Sequence, residues 1–267
     1  MVELAISEVT TYRWSFEEDV QQYAAAGIGA IGVWRQKLAD YGEERGIELL
    51  KASGLKVSSL LFAGGFTGSD GRTHADSIVD ARQAIHLAAA LKAPCLVMHS
   101  GSRGLHTQNH VRRLLRTALE KLLPITEEVG VSLAIEPMPR SCAGEWTFLN
   151  DLDEALELVA GSQTSALRIV LDTYHWGHDE SLLPRISALA PHLALVQLGD
   201  GKQPPRGEQD RCRLGDGNIP LRQIVSDLTQ AGYRGFFEVE LLGEEIEAME
   251  YRPLLAHCKE AFAALTD

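Results

Sequence analysis

The sequence is poor in positive charge and in long apolar segments, and each shortage excludes a class of protein. Its 267 residues carry 25 Lys and Arg against 37 Asp and Glu, which gives a formal net charge of −12 at pH 7. A surface this acidic repels phosphate groups, so general binding to nucleic acids or to anionic membranes is disfavoured. No stretch approaches the roughly 18 consecutive apolar residues that a membrane helix needs.

Cysteine is also scarce. The four cysteines, at positions 95, 142, 212 and 258, form no CxxC pair, which disfavours a zinc knuckle or a redox-active pair. Scattered cysteines in a chain of this length are typical of reduced thiols in the cytoplasm. The first residues, MVELAISEVTTYRW, are too acidic and too short in apolar length for a signal peptide, which also favours a cytoplasmic location.

The chain does contain a regular alternation of short apolar runs and longer amphipathic segments. The apolar runs lie at 4–10, 28–34, 55–63, 93–100, 131–138, 166–173, 193–200 and 235–242. They are rich in β-branched residues and bounded by Gly, Pro or polar residues, which predicts strands. Helical patterns follow them at 16–27, 36–54, 75–92, 108–129, 151–160, 180–189, 219–231 and 247–264. Ser15 is the predicted N-cap of the first helix.

This alternation predicts the fold. Each strand–helix unit has roughly the 30 residues that a βαβ unit needs, and eight units favour a (β/α)8 TIM barrel made by residues 1–267 as a single domain. The alternative is a doubly wound open sheet; its nucleotide-binding form would carry GxGxxG after the first strand, where this chain has TTYRWS. The polar segment 199–218 is predicted to be one long surface loop, and loops of that length are more often functional than idle.

Polar residues end several of the predicted strands, which is where TIM barrels place their active sites. Strands five to eight supply four oxygen donors: Glu136, Asp172, Gln197 and Glu240. Three carboxylates at one barrel mouth repel each other unless a cation lies among them, and oxygen ligands favour Mg²⁺ or Mn²⁺ without excluding Zn²⁺ or Co²⁺. The alternative is that each carboxylate binds loop amides or arginines. Glu238 faces the same side as Glu240, and periodicity does not choose between them.

Other side chains near the strand ends are candidates for substrate binding, with a structural role as the alternative for each. His175, three residues after Asp172, is suited to ligate a metal, to bind a substrate hydroxyl or to act as acid or base near neutrality. The remaining candidates are His99 at the end of strand four, Arg211 and Arg213 in the long loop, and Trp14, Trp34 and Phe66 after strands one to three.

Five segments together resemble the sugar phosphate isomerase/epimerase family, whose fold is the xylose isomerase-like TIM barrel: IEPM, VLDTYHW, ALVQLGD, RCRLGDGNIPL and AGYRGFFEVELLG. The resemblance covers nearly the whole chain and is closest from about residue 131 to 245. It implies one divalent metal ion, held by a glutamate, an aspartate, a histidine or glutamine, and a second glutamate. These positions fall on Glu136, Asp172, Gln197 and Glu240.

The resemblance also decides between Glu238 and Glu240 and assigns the substrate-binding residues. Its GY-x-G-x-x-x-x-E spacing, counted from Gly232, selects Glu240 over Glu238. Gln197 stands where many members have histidine, and in this the chain resembles the hydroxypyruvate isomerases. The substrate-binding histidine of the family falls on His175, and its arginine before the GDG turn falls on Arg211.

The activity implied is that of a metal-dependent isomerase or epimerase of a small ketose or hydroxy-keto acid. A proton would move through a metal-bound enediolate, with Glu136 and Glu240 serving both as ligands and as acid–base groups. The alternative is a dehydratase of the inosose or dehydroshikimate type on the same barrel. Apurinic endonucleases share the barrel but need more histidines and a basic surface, and the intact ligand set disfavours a non-catalytic binding protein. The expected partner is a small sugar; the oligomeric state stays open, because such barrels often pair.

Overall fold

A computed structural model describes residues 2–144 and 146–266, and eight strands within them close into a parallel barrel. The strands pair in chain order, and β8 pairs with β1 to close the sheet. They are β1 (Glu3–Ser7), β2 (Ala30–Trp34), β3 (Lys56–Gly64), β4 (Cys95–His99), β5 (Ser132–Ile135), β6 (Leu167–Asp172), β7 (Leu193–Leu198) and β8 (Phe236–Val239). Each overlaps one predicted run, so the predicted (β/α)8 TIM barrel is confirmed.

Helices follow the strands along the chain. They are α1 (Phe16–Ala25), α2 (Arg35–Tyr41), α3 (Glu43–Ser53), α4 (His74–Leu91), α5 (Gln108–Val129), α6 (Arg140–Ala143), α7 (Leu152–Ala160), α8 (Thr173–Trp176), α9 (Leu182–Leu189), α10 (Leu221–Gln230), α11 (Glu244–Glu247) and α12 (Tyr251–Thr266). Among the described residues, none of these helices combines the length and the apolar character that crossing a membrane requires.

Local sequence signals set several of the helix ends. Ser15 caps α1 as predicted: its hydroxyl accepts the N–H of Glu18 at 3.3 Å, and the Glu18 carboxylate accepts the N–H of Ser15 at 2.9 Å. The segment 36–54 forms two helices instead of the predicted one. Gly42 lies between them with a φ of +106°, a conformation that ends a helix and that glycine adopts without steric cost.

Alternation along the strands sorts the core into two layers. One layer lies inside the barrel and consists of Val9, Leu61, Cys95, Val97, Ala134, Val170 and Leu195. The larger layer includes Leu96, Leu133 and Ile169 together with apolar residues of the helices, so it lies between the sheet and the helical shell. The inward-facing series continues along each strand toward its C-terminal end, where polar residues replace apolar ones. The four cysteines are free and buried, as expected of reduced thiols.

The segment 199–218 forms the predicted loop and much of it is exposed, but parts of it fold back onto the barrel mouth. Asp200 pairs with Cys212 in an antiparallel bridge, and its buried carboxylate accepts the N–H groups of Gly215 and Gly217 at 2.8 and 3.2 Å. Arg211 is buried as well, although the loop tip around residues 202–206 is largely exposed. Backbone donors and buried carboxylates thus replace regular secondary structure here, which a polar composition does not reveal.

One substitution made at two positions tests the layered core. Leu96→Ala removes a fully buried side chain between sheet and helices, so we expect the free energy of unfolding to fall by about 2–5 kcal/mol. Leu105→Ala changes a fully exposed leucine, and its effect should stay within about 0.5 kcal/mol. Urea unfolding monitored by circular dichroism measures both. Equal effects of the two variants would contradict the packing described here.

Candidate active site

The C-terminal mouth of the barrel gathers polar side chains from four neighbouring strands. Asp172 ends β6, Gln197 lies near the end of β7, and Glu136 and Glu240 directly follow β5 and β8. All four are buried, with exposed fractions of 4% or less. Because inward-facing residues alternate, Asp172 lies one layer above Val170, and Gln197 one layer above Leu195. Barrel closure therefore brings these side chains to the same end of one apolar interior.

Hydrogen bonds and ion pairs connect these groups into one cluster. Gln197 Nε2 donates to Glu240 Oε2 at 2.8 Å. His175 Nδ1 lies 3.5 Å from Glu136 Oε1 and 3.6 Å from Asp172 Oδ2. Asp172 also accepts the backbone N–H of Tyr174 at 2.8 Å, which caps the short helix α8 and sets the position of His175. The structure thus brings Glu136, Asp172 and His175 close enough to share an ion, and Glu240 pairs with Gln197 beside them.

Arg211 reaches this cluster from the loop after β7. Its Nη1 donates to Asp172 Oδ2 at 2.8 Å and to the Glu240 carbonyl at 3.1 Å, and its Nη2 lies 4.0 Å from Glu240 Oε1. The guanidinium also stacks over the Tyr174 ring, with 4.4 Å between Cζ and the ring centroid. A buried arginine therefore compensates part of the negative charge at the mouth. For Asp172 this is the alternative raised by the sequence, in which a carboxylate binds an arginine of a loop.

Charge and burial oppose each other in this cluster. Burial raises the pKa of the Glu240 carboxyl well above its ordinary value, despite the opposing charge of Arg211. Burial alone would lower the pKa of His175, but the charge of Asp172 and a hydrogen bond to Glu208 outweigh burial and raise it to about 9. The ionised form of a carboxyl at the mouth is thus favoured by a nearby positive charge and disfavoured by burial.

The donor set fits a divalent cation. Within the part of the chain that the structure describes, Gln197 Oε1 and His175 Nδ1 are buried and have no hydrogen-bond partner. One ligand atom each of Glu136, Asp172 and His175 lie within 4.8 Å of one another. Carboxylate oxygens, an amide oxygen and an imidazole nitrogen are ligands that Mg²⁺, Mn²⁺ and Zn²⁺ accept.

Glu238 shares the inward face with Glu240 but lies one layer deeper. Its Oε2 accepts the hydroxyls of Ser58 and Ser59 at 2.6 and 2.7 Å. Gly32 packs against the carboxylate so closely that a Cβ there would lie 2.5 Å from it. Burial raises the pKa of Glu238 to about 7, although the two serine hydroxyls lower it. The Oε2 atom is thus engaged by hydroxyls inside the barrel, whereas Oε1 is buried with no hydrogen-bond partner among the described residues; Glu240 lies nearer the mouth.

A cavity of about 720 Å³ opens beside the cluster, over the ends of β2 to β4. His99 connects the cavity with the polar cluster, because it lines the cavity and its Nε2 lies 2.9 Å from Glu136 Oε2. Trp34 also lines the cavity, as the sequence predicted for an apolar wall. Trp14 packs edge-on against Tyr251, with ring centroids 5.1 Å apart, and so lies outside the lining. Phe66 is fully buried in the core and also lies outside the cavity lining.

Three residues of this region escaped the sequence analysis. Phe62 stacks on His99 with ring centroids 4.7 Å apart, and Trp146 lies 5.3 Å from the same ring. Phe62 sits inside an apolar run and resembles any core residue. Glu208 hydrogen-bonds both His175 and Arg211, but no strand end marks it. Its only sequence signal is its place in a long polar loop three residues before Arg211.

Comparison with known proteins finds a family model and several relatives that match parts of this chain. A family model described as xylose isomerase-like TIM barrel matches residues 20–261. D-psicose 3-epimerase of Enterocloster bolteae is 30% identical over 118 residues, which cover 44% of this chain and 36% of that epimerase. Inosose isomerase of Halalkalibacterium halodurans is 25% identical over 224 residues, covering 78% of this chain and 76% of the isomerase.

Solved structures agree on the fold. A protein of Sinorhizobium meliloti 1021 superimposes with a TM-score of 0.90 and 28% identity, covering 98% of both chains. The IolI protein with a bound zinc atom superimposes with a TM-score of 0.84 and 19% identity, covering 99% of this chain and 98% of that one.

Removing the arginine at the mouth tests the electrostatics of the cluster. Arg211→Met leaves the Asp172 and Glu208 carboxylates buried without their cation, so we expect the free energy of unfolding to fall by about 3–5 kcal/mol at pH 7. Arg211 and His175 hold the pKa of Glu208 below its ordinary 4.5, so the stability from this pairing is fully present above pH 4.5. It is lost progressively as the pH falls from 4.5 toward the lower, folded-state value, so the difference between variant and wild type should already shrink between pH 4.5 and pH 3.

The matched control is Arg213→Met, which changes an exposed arginine of the same loop that pairs with Asp216. Its effect should stay within about 1 kcal/mol, because exposed ion pairs stabilise little. Chemical denaturation of metal-free protein between pH 3 and 8 gives both curves. If Arg211→Met were no more destabilising than Arg213→Met, the compensation described here would be wrong.

Proposed function

The chain belongs to the xylose isomerase-like TIM barrel family, which confirms the resemblance found in the sequence, and from that premise we propose a specific activity. The proposal is a divalent-metal-dependent isomerase or epimerase of a small ketose or hydroxy-keto acid. Homologues of the chain are sugar epimerases and an inosose isomerase. The observation that carries the proposal is the buried amide oxygen of Gln197, unpartnered among the described residues, in one cluster with three buried carboxylates.

In this proposal one divalent ion (Mn, Mg, Co or Zn) is held by Glu136, Asp172, Gln197 and Glu240. The ion would supply Lewis acidity, polarising a substrate carbonyl and stabilising negative charge that develops beside it. Support comes from the donor set itself and from the zinc atom in the structure of the similar IolI protein. His175, whose Nδ1 lies among the same carboxylates, remains available to a substrate oxygen or to the ion.

Proton transfer is assigned to the two glutamates. Glu136 follows β5 and Glu240 follows β8, so the two carboxylates approach the mouth from strands that are three apart around the barrel. One carboxylate removes the proton next to the substrate carbonyl, which leaves an enediolate. Return of the proton to the neighbouring carbon isomerises the sugar, and delivery by the other carboxylate to the opposite face of the same carbon epimerises it.

Substrate orientation is assigned to His175, Arg211, His99 and Trp34. His175 and Arg211 present nitrogen donors beside Asp172, which suits hydroxyl and carbonyl oxygens of a sugar. His99 and Trp34 line the adjacent cavity, whose volume of about 720 Å³ accommodates a small sugar. Trp14 and Phe66, which the sequence also offered for substrate contact, are assigned to packing because they lie outside that lining.

Three matched amide substitutions test the assignment of the glutamates. Glu136→Gln and Glu240→Gln remove a base, so each should lower exchange of solvent deuterium into a panel of ketoses by at least about 100-fold. Glu238→Gln should largely spare exchange, because Glu238 bonds to Ser58 and Ser59 below the mouth. NMR detection of deuterium in the sugar measures exchange with or without net turnover. Full exchange in either of the first two variants would refute the assignment, and an enone absorbance would indicate a dehydratase instead.

Removal of the metal tests the cofactor. Dialysis against a chelator should abolish proton exchange, and added Mn²⁺ should restore it, because the carbonyl then regains its Lewis acid. Elemental analysis should find about one divalent ion per chain in wild-type protein and in Glu238→Gln, and much less in Asp172→Asn. A protein that exchanges protons at the full rate while elemental analysis finds no metal would overturn the metal-dependent part of the proposal.

A further inference from the structure

Glu208 occupies an unusual place in the loop between β7 and α10. Its Oε1 lies 2.9 Å from His175 Nε2, and its Oε2 accepts the Nη2–H of Arg211 at 2.7 Å. One carboxylate therefore bridges the two side chains that the proposed function assigns to substrate orientation. Its own side chain is 18% exposed, whereas the neighbouring Gln209 and Asp210 are exposed.

The loop is fastened at two places, and Glu208 makes the second. Asp200 holds the two ends through its bridge to Cys212 and its bonds to the N–H groups of the GDG turn. Nearer the tip, Tyr174 donates its hydroxyl to the Gly207 carbonyl at 2.7 Å, and the adjacent Glu208 carboxylate makes two charge-assisted bonds. The two bonds of Glu208 are stronger than neutral hydrogen bonds, because the carboxylate and its partners are ionised or ionisable.

The electrostatics of Glu208 agree with this geometry. Burial alone would raise the pKa of its carboxyl, but the hydrogen bond from His175 and the charge of Arg211 outweigh burial and hold it well below its ordinary value. A carboxylate that stays ionised offers an acceptor oxygen to each partner at once.

A second metal site is the competing interpretation of the same residues. Ligand atoms of Cys142, His175 and Glu208 lie within 4.8 Å of one another, a donor set that zinc accepts. Both Glu208 oxygens are already engaged, however, and the Arg211 cation contacts one of them. The Cys142 sulfur is likewise engaged, because its Sγ donates to the Gly207 carbonyl at 3.5 Å. The contacts favour a clamp over a metal ligand.

We propose that Glu208 is a positioning residue, which fixes the His175 ring and the Arg211 guanidinium at the mouth while it fastens the loop tip over them. This inference rests on the proposed function, because it assumes that these two side chains orient the substrate. Glu208 acts through His175 and Arg211, and its effect should therefore fall on substrate binding more than on metal binding. The same clamp links closure of the loop to correct placement of both donors.

A graded series of variants tests the clamp. Glu208→Asp keeps two acceptor oxygens on a shorter side chain, Glu208→Gln keeps one acceptor, and Glu208→Ala keeps none. The KM for proton exchange into a ketose should rise in that order, reaching about 10–100-fold in Glu208→Gln, with a smaller change in kcat. The dissociation constant for Mn²⁺ should stay within about twofold of wild type. The matched control is Asp210→Asn, an exposed acid of the same loop, which should leave all three quantities unchanged.

Two measurements on metal-free protein do not depend on activity. Amide hydrogen exchange should accelerate in peptides from 199–218 in Glu208→Gln and Glu208→Ala, but not in Asp210→Asn. The ¹⁵N chemical shifts of the His175 imidazole should also change in Glu208→Gln, because its Nε2 loses a carboxylate partner.

The outcomes separate the inference from the proposed function. If wild-type protein exchanged no ketose protons, the proposed function would fail, and loop exchange with the imidazole shifts would still decide the clamp. Unchanged loop exchange and unchanged shifts in Glu208→Gln would overturn the clamp. Faster loop exchange with wild-type KM would overturn the positioning role and leave Glu208 as a loop fastener. Loss of Mn²⁺ binding in Glu208→Gln would favour a metal ligand and also overturn the inference.

Discussion

Negative charge buried at the barrel mouth is the constraint on which the arrangement of the site depends. Glu136, Asp172 and Glu240 come from three strands, and barrel closure buries all of them at the same end of one apolar interior. Ionised carboxylates in such a place are tolerated only when positive charge is close. Arg211 supplies one such charge, but burial still raises the pKa of Glu240 despite it. The unpartnered oxygen of Gln197 lies in the same cluster, and a bound cation would satisfy both needs.

Along the inward face of the strands, apolar residues give way to polar residues at the C-terminal ends, and this places the charges in an apolar environment. Inside the barrel, Val97, Ala134, Val170 and Leu195 form a dry layer, and two residues further along the same strands stand His99, Glu136, Asp172 and Gln197. The layer below excludes water, so the polar residues above it interact in a medium of low dielectric constant, where each charge pair matters more. Glu238 is the exception within the barrel, and its tolerance depends on two serine hydroxyls and on the space left by Gly32.

The predictable part of this protein is the part that repeats. Eight strands, their order and the donors Glu136, Asp172 and Gln197 follow from alternation and from strand ends, because each is a local pattern, whereas Glu240 is chosen over Glu238 by the family resemblance. Contacts made by loops follow no such pattern. Arg211 meets Asp172 across 39 positions of sequence, and Glu208 meets His175 across 33. The same limit applies to the loop 199–218: Arg211 is buried against the barrel mouth, although the loop tip is exposed. Periodicity placed Glu238 and Glu240 on one face. The two glutamates have different partners because Glu238 lies deeper in the barrel than Glu240.

The two halves of the barrel mouth carry different kinds of residue. Strands β5 to β8 and the loop after β7 carry the carboxylates, Gln197, His175 and Arg211, whereas the ends of β2 to β4 carry the open cavity. The cations in that cavity are already paired: Arg35 bonds to Asp80 at 2.8 Å, and Arg72 bonds to both Asp70 and Asp80. The cavity therefore adds aromatic surface and balanced charge beside a strongly acidic cluster. His99 is the contact between the halves, since it stacks on Phe62 on one side and meets Glu136 on the other. Under the proposed function, a sugar in the cavity would reach the carboxylates through the neighbourhood of His99, and its position there would decide which carbon faces Glu136.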